Sequence, residues 1–460
     1  MMIRSVLIAN RGEIAVRIIR AAKALGLRTI QVHSSADADS LAVRLADEAV
    51  AIGPAAAKKS YLNIPAIIEA ARQTGADAVH PGYGFLAENA DFADSVMAAG
   101  MRFVGPSGDS IRLLGDKVAA REAASKAGVP TVPGSDGRMS SAAEAASIAA
   151  DIGFPVMIKA AAGGGGRGIR IIHDADDFEK QFLQASTEAE AAFGDGGLYV
   201  EKVIPAARHV EVQVLGDGRN FVHCFERECS LQRRRQKVWE EAPAFRLPES
   251  VRQRLCASAA DLARSVGYVG AGTVEYLYDD ATQNFFFIEV NTRIQVEHPV
   301  TEMVTGIDLV QEMLKIAGGA PLSMRQEDIA IAGHAIECRI NAEDPFRDFQ
   351  PWPGTVEELS VPQDEHVRFD SMLYEGYVVP PFYDSLLGKL IVHGRTREQC
   401  LSRLSAALEA LAVEGIPTTI PLHRALAADP QVASGDIHTR FLERWLESKF
   451  AGAGGKREVA

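Results

Sequence analysis

Cysteine is scarce: five in 460 residues, at the scattered positions Cys224, Cys229, Cys256, Cys338 and Cys400. An odd, irregular set makes no disulfide framework and no zinc pattern, so a reducing, cytoplasmic setting is expected. Long apolar runs are also missing. Near the amino terminus only Val6–Ala9 is apolar before Asn10 and Arg11 interrupt it, too short for a signal peptide, and no stretch reaches the ~20 residues of a membrane-spanning helix. Positive charge is in deficit. A net charge of -13 argues against nucleic acid or an anionic membrane as the main partner. It leaves room for local clusters such as Arg227, Arg233–Arg235 and Lys237. Internal repeats and low-complexity tracts are absent, and so are two phosphate signatures. The first turn, Asn10-Arg11-Gly12-Glu13, is not G-x-G-x-x-G, and the glycine run after Ala162 lacks the G-K-[ST] ending and following helix of a P-loop.

What remains is ordinary globular material, 47% apolar and 24% charged, long enough for about two or three units with buried cores. Up to Gly115 the strands Ser5–Ala9, Arg28–His33, Asp77–His80 and Arg102–Gly105 alternate with helical stretches. The first helix carries Ile14, Ile18, Ile19 and Leu25 on one face and stops at Gly26. This rhythm predicts a parallel, Rossmann-like sheet. The loop His80–Phe85 leaves the carboxyl end of a strand and is either a ligand loop or a turn rich in glycine and proline. A helix runs from Gly115 to Lys126, and Gly128–Gly137 reads as a linker.

Gly128–Val203 has the composition of a mobile lid. It holds the strands Pro155–Lys159 and Ile169–Ile172 around the loop Ala162–Gly168, a helix near Asp176–Phe193, and the strand Leu198–Lys202. The glycine loop is either a floppy connection or a cover of backbone N–H groups for phosphates, with Lys159 as a point charge. His209–Leu215 and Asn220–Glu226 are expected strands. The basic cluster after them is either a solvated face or an anion site in a cleft, since acids, Val238 and Trp239 bracket it. Leu255–Val266, Leu309–Ile316 and Arg395–Leu411 read as helices. In His334–Glu343, Arg339 shares a polar face with Glu337 and Asn341. Phe450–Ala460 reads as a frayed tail.

The densest chemistry lies in Phe285–Thr305. Glu289, Asn291, Arg293, Gln295 and Glu297 alternate with mostly apolar residues, as on one face of an extended strand. Folding this run against Thr273–Tyr278 about the turn Asp279–Asn284 sets Glu275 opposite Glu289. Two carboxylates ~4 Å apart repel by roughly 4 kcal/mol at an effective dielectric near 20. Either the pair lies on a wet hairpin surface or a divalent cation neutralises it. Glu275, Glu289 and Asn291 offer the hard oxygen ligands that magnesium takes.

The segments IANRGEIAVRIIRAAKALG, HPGYGFLAEN, AAGGGGRGIR after Lys159, ERECSLQRRRQKVWEEAP, EVNTRIQVEHPVTE and HAIECRINAEDP occur in this order between about Arg4 and Trp445. Together they resemble the biotin carboxylase component of biotin-dependent carboxylases. The resemblance implies an α/β fold, α+β in its central part. A Rossmann-like domain would span 1–115 and an ATP-grasp domain 116–330, with its glycine-loop lid at about 130–203. A C-terminal α+β domain would span 331–447, followed by a flexible tail at 448–460.

The implied chemistry is the carboxylation of biotin with ATP and bicarbonate through carboxyphosphate, assisted by Mg2+ or Mn2+. Lys117 and Lys159 would hold phosphates under Gly165 and Gly166. Glu201, Lys202, Val203 and Ile204 would meet the adenine edge, with Ile437 on its face; His209, Gln232 and Arg235 would lie near the ribose. Glu275, Glu289 and Asn291 would take the metal. Lys237, Arg293, Gln295 and the Val296 backbone would cradle bicarbonate, with Glu297 as base, and Tyr83, Gly84 and Arg339 would meet biotin. Arg293, Glu297, Lys237 and Arg339 form the implied catalytic set.

This chain departs from the family at Arg235, where His or Asn is usual. Of the dimer contacts, Arg20 and Arg368 match, whereas Ala24 and Glu365 replace an acid and an aromatic, so a homodimer stays an open expectation. The chain carries no Ala-Met-Lys-Met segment, so biotin is expected on a separate carrier protein and the carboxyl would pass on through separate carboxyltransferase subunits. Acyl-CoA, urea or another acceptor is compatible with these residues. Another ATP-grasp ligase would share the lid and the metal hairpin without needing Lys237, Glu297 and Arg339 together. A nucleotide-sensing scaffold would have lost some of these charges.

Overall fold

The structure, a computed structural model, describes residues 3–135, 137–161 and 168–450. The glycine loop with Gly165 and Gly166, and most of the expected tail, lie outside the described residues.

The amino-terminal unit is a five-stranded parallel sheet. Its order is Glu48–Gly53, Arg28–Ser34, Ser5–Ile8, Ala78–His80, Arg102–Phe103. Ile14, Ile18 and Ile19 of the helix Gly12–Ala24 are buried, and Gly26 takes φ 72° just past its end. Reading the sequence missed the strand Glu48–Gly53. It sits at the sheet edge with Ile52 its one buried residue, so little apolar patterning marks it.

Residues 137–203 build a smaller antiparallel sheet, ordered Ile169–Ile172, Val156–Ala160, Leu198–Lys202. The helices Ala142–Ile152 and Phe178–Phe193 cover it around Ile158, Phe178, Phe182 and Val200. The stretch expected as a loose linker is tied down at several points. Phe287 N–H donates to the Pro130 carbonyl at 2.7 Å, Lys202 N–H to that of Pro133 at 2.8 Å, and Gly134 bridges Glu201. Glycine and proline here fit a close crossing between strands rather than free chain.

The rest is organised by one antiparallel eight-stranded sheet. Its order is Asn284–Asn291, Val269–Asp279, Arg208–Asp217, Phe221–Arg233, Gln236–Ala242, His334–Asn341, Leu386–Gly394, Val367–Ser371. The expected strand Asn220–Glu226 is longer than its sequence suggested, and the strand that follows it was hidden. Phe221–Arg233 runs on past Glu226 and returns as Gln236–Ala242, with Arg234 and Arg235 at the turn (φ 48° and 65°). Charged residues occupy buried positions there, so alternation between apolar and polar does not show.

A second correction concerns the row ending at Glu297. Glu275 does pair with Glu289, but the strand ends at Asn291, and Ile288 is an extra residue at a register shift. Beyond Asn291 the chain turns, and Glu297 becomes the N-cap of the helix His298–Thr305. Pro299 in the first helical turn has the φ that a helix start needs and no N–H to leave unpaired. The alternation after Asn291 is therefore not a strand face.

Ile336, fully buried in the central strand His334–Asn341, tests this packing. Ile336→Ala is expected to cost about 2–5 kcal/mol, read as a lowered thermal midpoint with an unchanged circular dichroism spectrum at 20 °C.

Candidate active site

Cross-strand partners share a face of a sheet. The registers Glu289–Glu275, Glu275–Glu211, Glu211–Arg227, Glu240–Glu337 and Arg339–Lys389 therefore lay ionisable side chains across this sheet. Most are buried, and each demands a partner.

Lys237 is the meeting point. Its ammonium donates to Glu211, to Glu275 at 2.8 Å and to Glu297 at 2.7 Å. Burial alone would lower Lys237; the three carboxylates instead raise it well above the ordinary lysine value. Arg339 joins from the neighbouring strand, donating Nε–H to Glu240 at 2.6 Å and an Nη2–H to Glu297 at 3.0 Å. Burial would raise Glu297, but Lys237, helped by Arg339 and Arg227, holds it below the usual carboxylate range. Glu297 is thus a buried, ionised carboxylate between two cations. Glu240 goes the other way: burial, and then Glu297, push it up to about 7 despite Arg339.

Underneath lies Arg227, fully buried. It donates to Glu211 at 2.6 Å, Gln213 at 2.8 Å, Thr301 at 3.0 Å, Thr273 at 3.1 Å and Gln295 at 2.9 Å, which uses its full set of N–H groups. Gln295 in turn donates to Glu275 at 2.7 Å. Arg227 entered the sequence reading only as part of the basic cluster, and Glu211 and Glu240 were given no role. For Glu211 there was a signal, a charge set between Val210 and Val212 in a strand.

The candidate metal corner is Glu275, Glu289 and Asn291. Glu275 is held well below the ordinary range, against its burial, by Lys237 and then by His209, whose Nε2 lies 3.0 Å away. Glu289 is raised by burial and then by Glu275 across the ladder. That opposed carboxylate pair offers hard oxygen ligands of the kind a divalent cation takes. Asn291 donates to Glu275 at 2.8 Å, and its Oδ1 accepts from Arg293 at 2.9 Å. Arg293 also holds Glu88 at 2.9 Å. Glu88 lies in the HPGYGFLAEN segment and was not singled out.

The residues expected on the nucleotide side are spread over one helix, four strands and the loops beside them. Lys159 pairs with Glu201, which also meets Arg121 at 3.3 Å, and Lys202 donates to the Gly153 carbonyl at 2.8 Å. Val203 and Ile437 are buried and Ile204 half-buried. His209 Nδ1 lies 2.9 Å from Gln232 Nε2. Lys117 is exposed at the start of the helix Lys117–Lys126. Arg235 is exposed at its hairpin turn, and Arg233 and Arg234 pair with Asp348. Of the basic cluster, only Arg227 and Lys237 enter the charged interior.

On the other side, Tyr83 and Gly84 line a cavity of about 190 Å³ with Glu13, Phe85 and Tyr383. The Tyr83 hydroxyl donates to Glu13. The Val296 carbonyl accepts from Lys389 at 2.8 Å.

Breaking the support beneath Glu211 and Gln295 tests how far the site depends on it. Arg227→Met strands a buried carboxylate and two amides and is expected to cost about 3–5 kcal/mol. A thermal midpoint within one degree of wild type would contradict this.

The whole sequence has relatives of known identity. It matches "Biotin carboxylase, N-terminal domain" over residues 2–111, "Carbamoyl-phosphate synthase L chain, ATP binding domain" over 116–325 and "Biotin carboxylase C-terminal domain" over 337–444. The biotin carboxylase of Pseudomonas aeruginosa is 55% identical over 447 residues, covering 97% of this chain and 99% of that one. The crystal structure of the Campylobacter jejuni biotin carboxylase–β,γ-ATP complex superimposes with a TM-score of 0.90 at 47% identity, covering 96% of this chain and 99% of that one. The biotin carboxylase domain dimer of Hydrogenobacter thermophilus 2-oxoglutarate carboxylase, in complex with MgADP, ADP and bicarbonate, gives 0.89 at 46% identity, with 97% and 98% covered. Identity of this order along nearly the full length, on the same fold, leaves one reading: the chain belongs to the biotin carboxylase family.

Proposed function

We propose that this chain carboxylates biotin on a separate carrier protein, using ATP and bicarbonate, as the first half-reaction of an acyl-CoA carboxylase. The observation that carries the mechanism is the convergence of Lys237 and Arg339 on the buried, ionised Glu297. Bicarbonate is an anion, and its binding among carboxylates needs those cations. In this reading Lys237, Arg293, Gln295 and the Val296 backbone hold it. Glu297 accepts its proton while a bicarbonate oxygen bonds the terminal phosphorus and ADP leaves. A magnesium or manganese ion at Glu275, Glu289 and Asn291 supplies charge neutralisation on the phosphates.

Lys117 and Lys159 add positive charge there, and Glu201–Ile204 with Ile437 enclose the base. His209, Gln232 and Arg235 flank the ribose. Carboxyphosphate then splits into carbon dioxide and phosphate. The phosphate takes the ureido proton, and the nitrogen bonds the carbon of carbon dioxide. Arg339 faces the negative charge that develops on the ureido oxygen, with Tyr83 and Gly84 seating the ring. Glu240 and Glu297 hold that guanidinium in place and keep it protonated beside a strong base.

We divide the chain at 1–115, 116–330 with a lid at about 130–203, and 331–447. We place it in the cytoplasm, as a homodimer that meets a carrier protein and carboxyltransferase subunits. Among the described residues no helix is long and apolar enough to cross a membrane. The dimeric relative supports the assembly. The acceptor is selected by the transferase, so these residues fit more than one.

ADP release by purified protein with magnesium and free biotin is expected to require bicarbonate; turnover indifferent to bicarbonate would remove the reading. Glu297→Gln is expected to lower bicarbonate-dependent turnover by roughly 10²–10⁴-fold while nucleotide affinity, read by titration with a fluorescent ATP analogue, changes little. Equal loss of both would deny Glu297 its role as base.

A further inference from the structure

A turn and a helix start from distant parts of the sequence meet on one buried ammonium. Lys389, in the strand Leu386–Gly394, is fully buried. Its Nζ donates to the Val296 carbonyl at 2.8 Å and stands 3.2 Å from Glu13 Oε1. Val296 lies in the turn between Gln295 and Glu297. Glu13, in the first turn of the helix Gly12–Ala24, is itself buried and accepts the hydroxyl hydrogen of Tyr83. Both Glu13 and Tyr83 line the cavity of about 190 Å³. Asp370, the cross-strand neighbour of Lys389, is already engaged by both ends of the Arg368 guanidinium. A buried ammonium persists only where its surroundings repay its lost hydration. The buried carboxylates of Glu337 and Asp370 also face this ammonium, but the groups it touches directly are the Val296 carbonyl on the carboxyl-donor side and Glu13 on the acceptor side.

We propose that Lys389, acting with Glu13, is a positioning residue that fixes the Gln295–Glu297 turn relative to Tyr83, so that the two reactants are held in one alignment. Neither side chain is given a chemical step. The proposal rests on the reading of that turn as the bicarbonate side and of Tyr83 as the biotin side. Reactions between two bound partners are sensitive to such alignment, and a displacement of about 1 Å can cost a factor of ~100.

The test is the pair Lys389→Met with Glu13→Gln, which removes both buried charges together and keeps their approximate shape, so folding is expected to persist. ADP release is followed with magnesium ATP, bicarbonate and free biotin, varying each in turn. Turnover at saturating substrates is expected to fall by up to roughly 100-fold and KM for bicarbonate and for biotin each to rise roughly tenfold, with KM for ATP within about twofold of wild type. A purely structural defect would move all three constants together or only the thermal midpoint, and either result overturns the proposal, as does wild-type turnover with unchanged bicarbonate and biotin constants. Glu13→Gln alone leaves Lys389 on Val296 and is expected to raise KM for biotin but not for bicarbonate. Should the double variant not fold, this single variant decides, and an unaltered KM for biotin overturns the proposal. Wild-type turnover without bicarbonate, read in the same assay, would instead defeat the functional reading itself.

Discussion

A lysine ammonium surrounded by three carboxylates is the constraint on which the site depends. Glu211, Glu275 and Glu297 lie too close together to stay ionised inside a protein without Lys237 between them. Arg227 performs the same service one layer deeper, and Arg339 at the flank. Each cation makes the next carboxylate tolerable, so the arrangement stands or falls as a network rather than as a set of pairs. The network also accounts for a division of labour among like residues. Glu297, between two cations, stays ionised, while Glu240, with one cation and a neighbouring acid, holds its proton far more readily.

The fold supports this by giving the charges to strands. Lys237 and Glu240 come from Gln236–Ala242 and Arg339 from its hydrogen-bonded neighbour His334–Asn341. Strands in a ladder lie about 4.8 Å apart, which fixes the spacing of the cations before any side chain adjusts. The helix His298–Thr305 then delivers Glu297 from above, with Pro299 setting where its first turn begins.

Much of this was legible beforehand. The strand–helix rhythm of the amino-terminal unit, the glycine-bearing strand pair, and the pairing of Glu275 with Glu289 all follow from period and turn composition. What escaped has a common cause. Glu48–Gly53 is a sheet edge, and beyond Glu226 the Phe221–Ala242 hairpin carries buried charge, so neither shows the apolar alternation by which strands are recognised. The opposite error arose at Arg293–Glu297, where polar and apolar residues alternate along a turn. Pro299 was the warning, since a proline two residues beyond a supposed strand residue is well suited to opening a helix. Positions such as Lys237, Glu297 and Arg339 were reached through ordered motifs, because no local pattern says which distant carboxylate a lysine will meet. Glu88 and Lys389 were missed for that reason.

The eight-stranded sheet runs without a break from Asn284–Asn291 to Val367–Ser371. The floor that carries both Glu275 and Glu289 and the guanidinium of Arg339 is therefore a single mechanical piece, stitched by backbone hydrogen bonds. Any displacement of Glu275 relative to Arg339 would have to break backbone hydrogen bonds of that sheet, so the distance between the acids at one end and the guanidinium further along is set by the ladder itself.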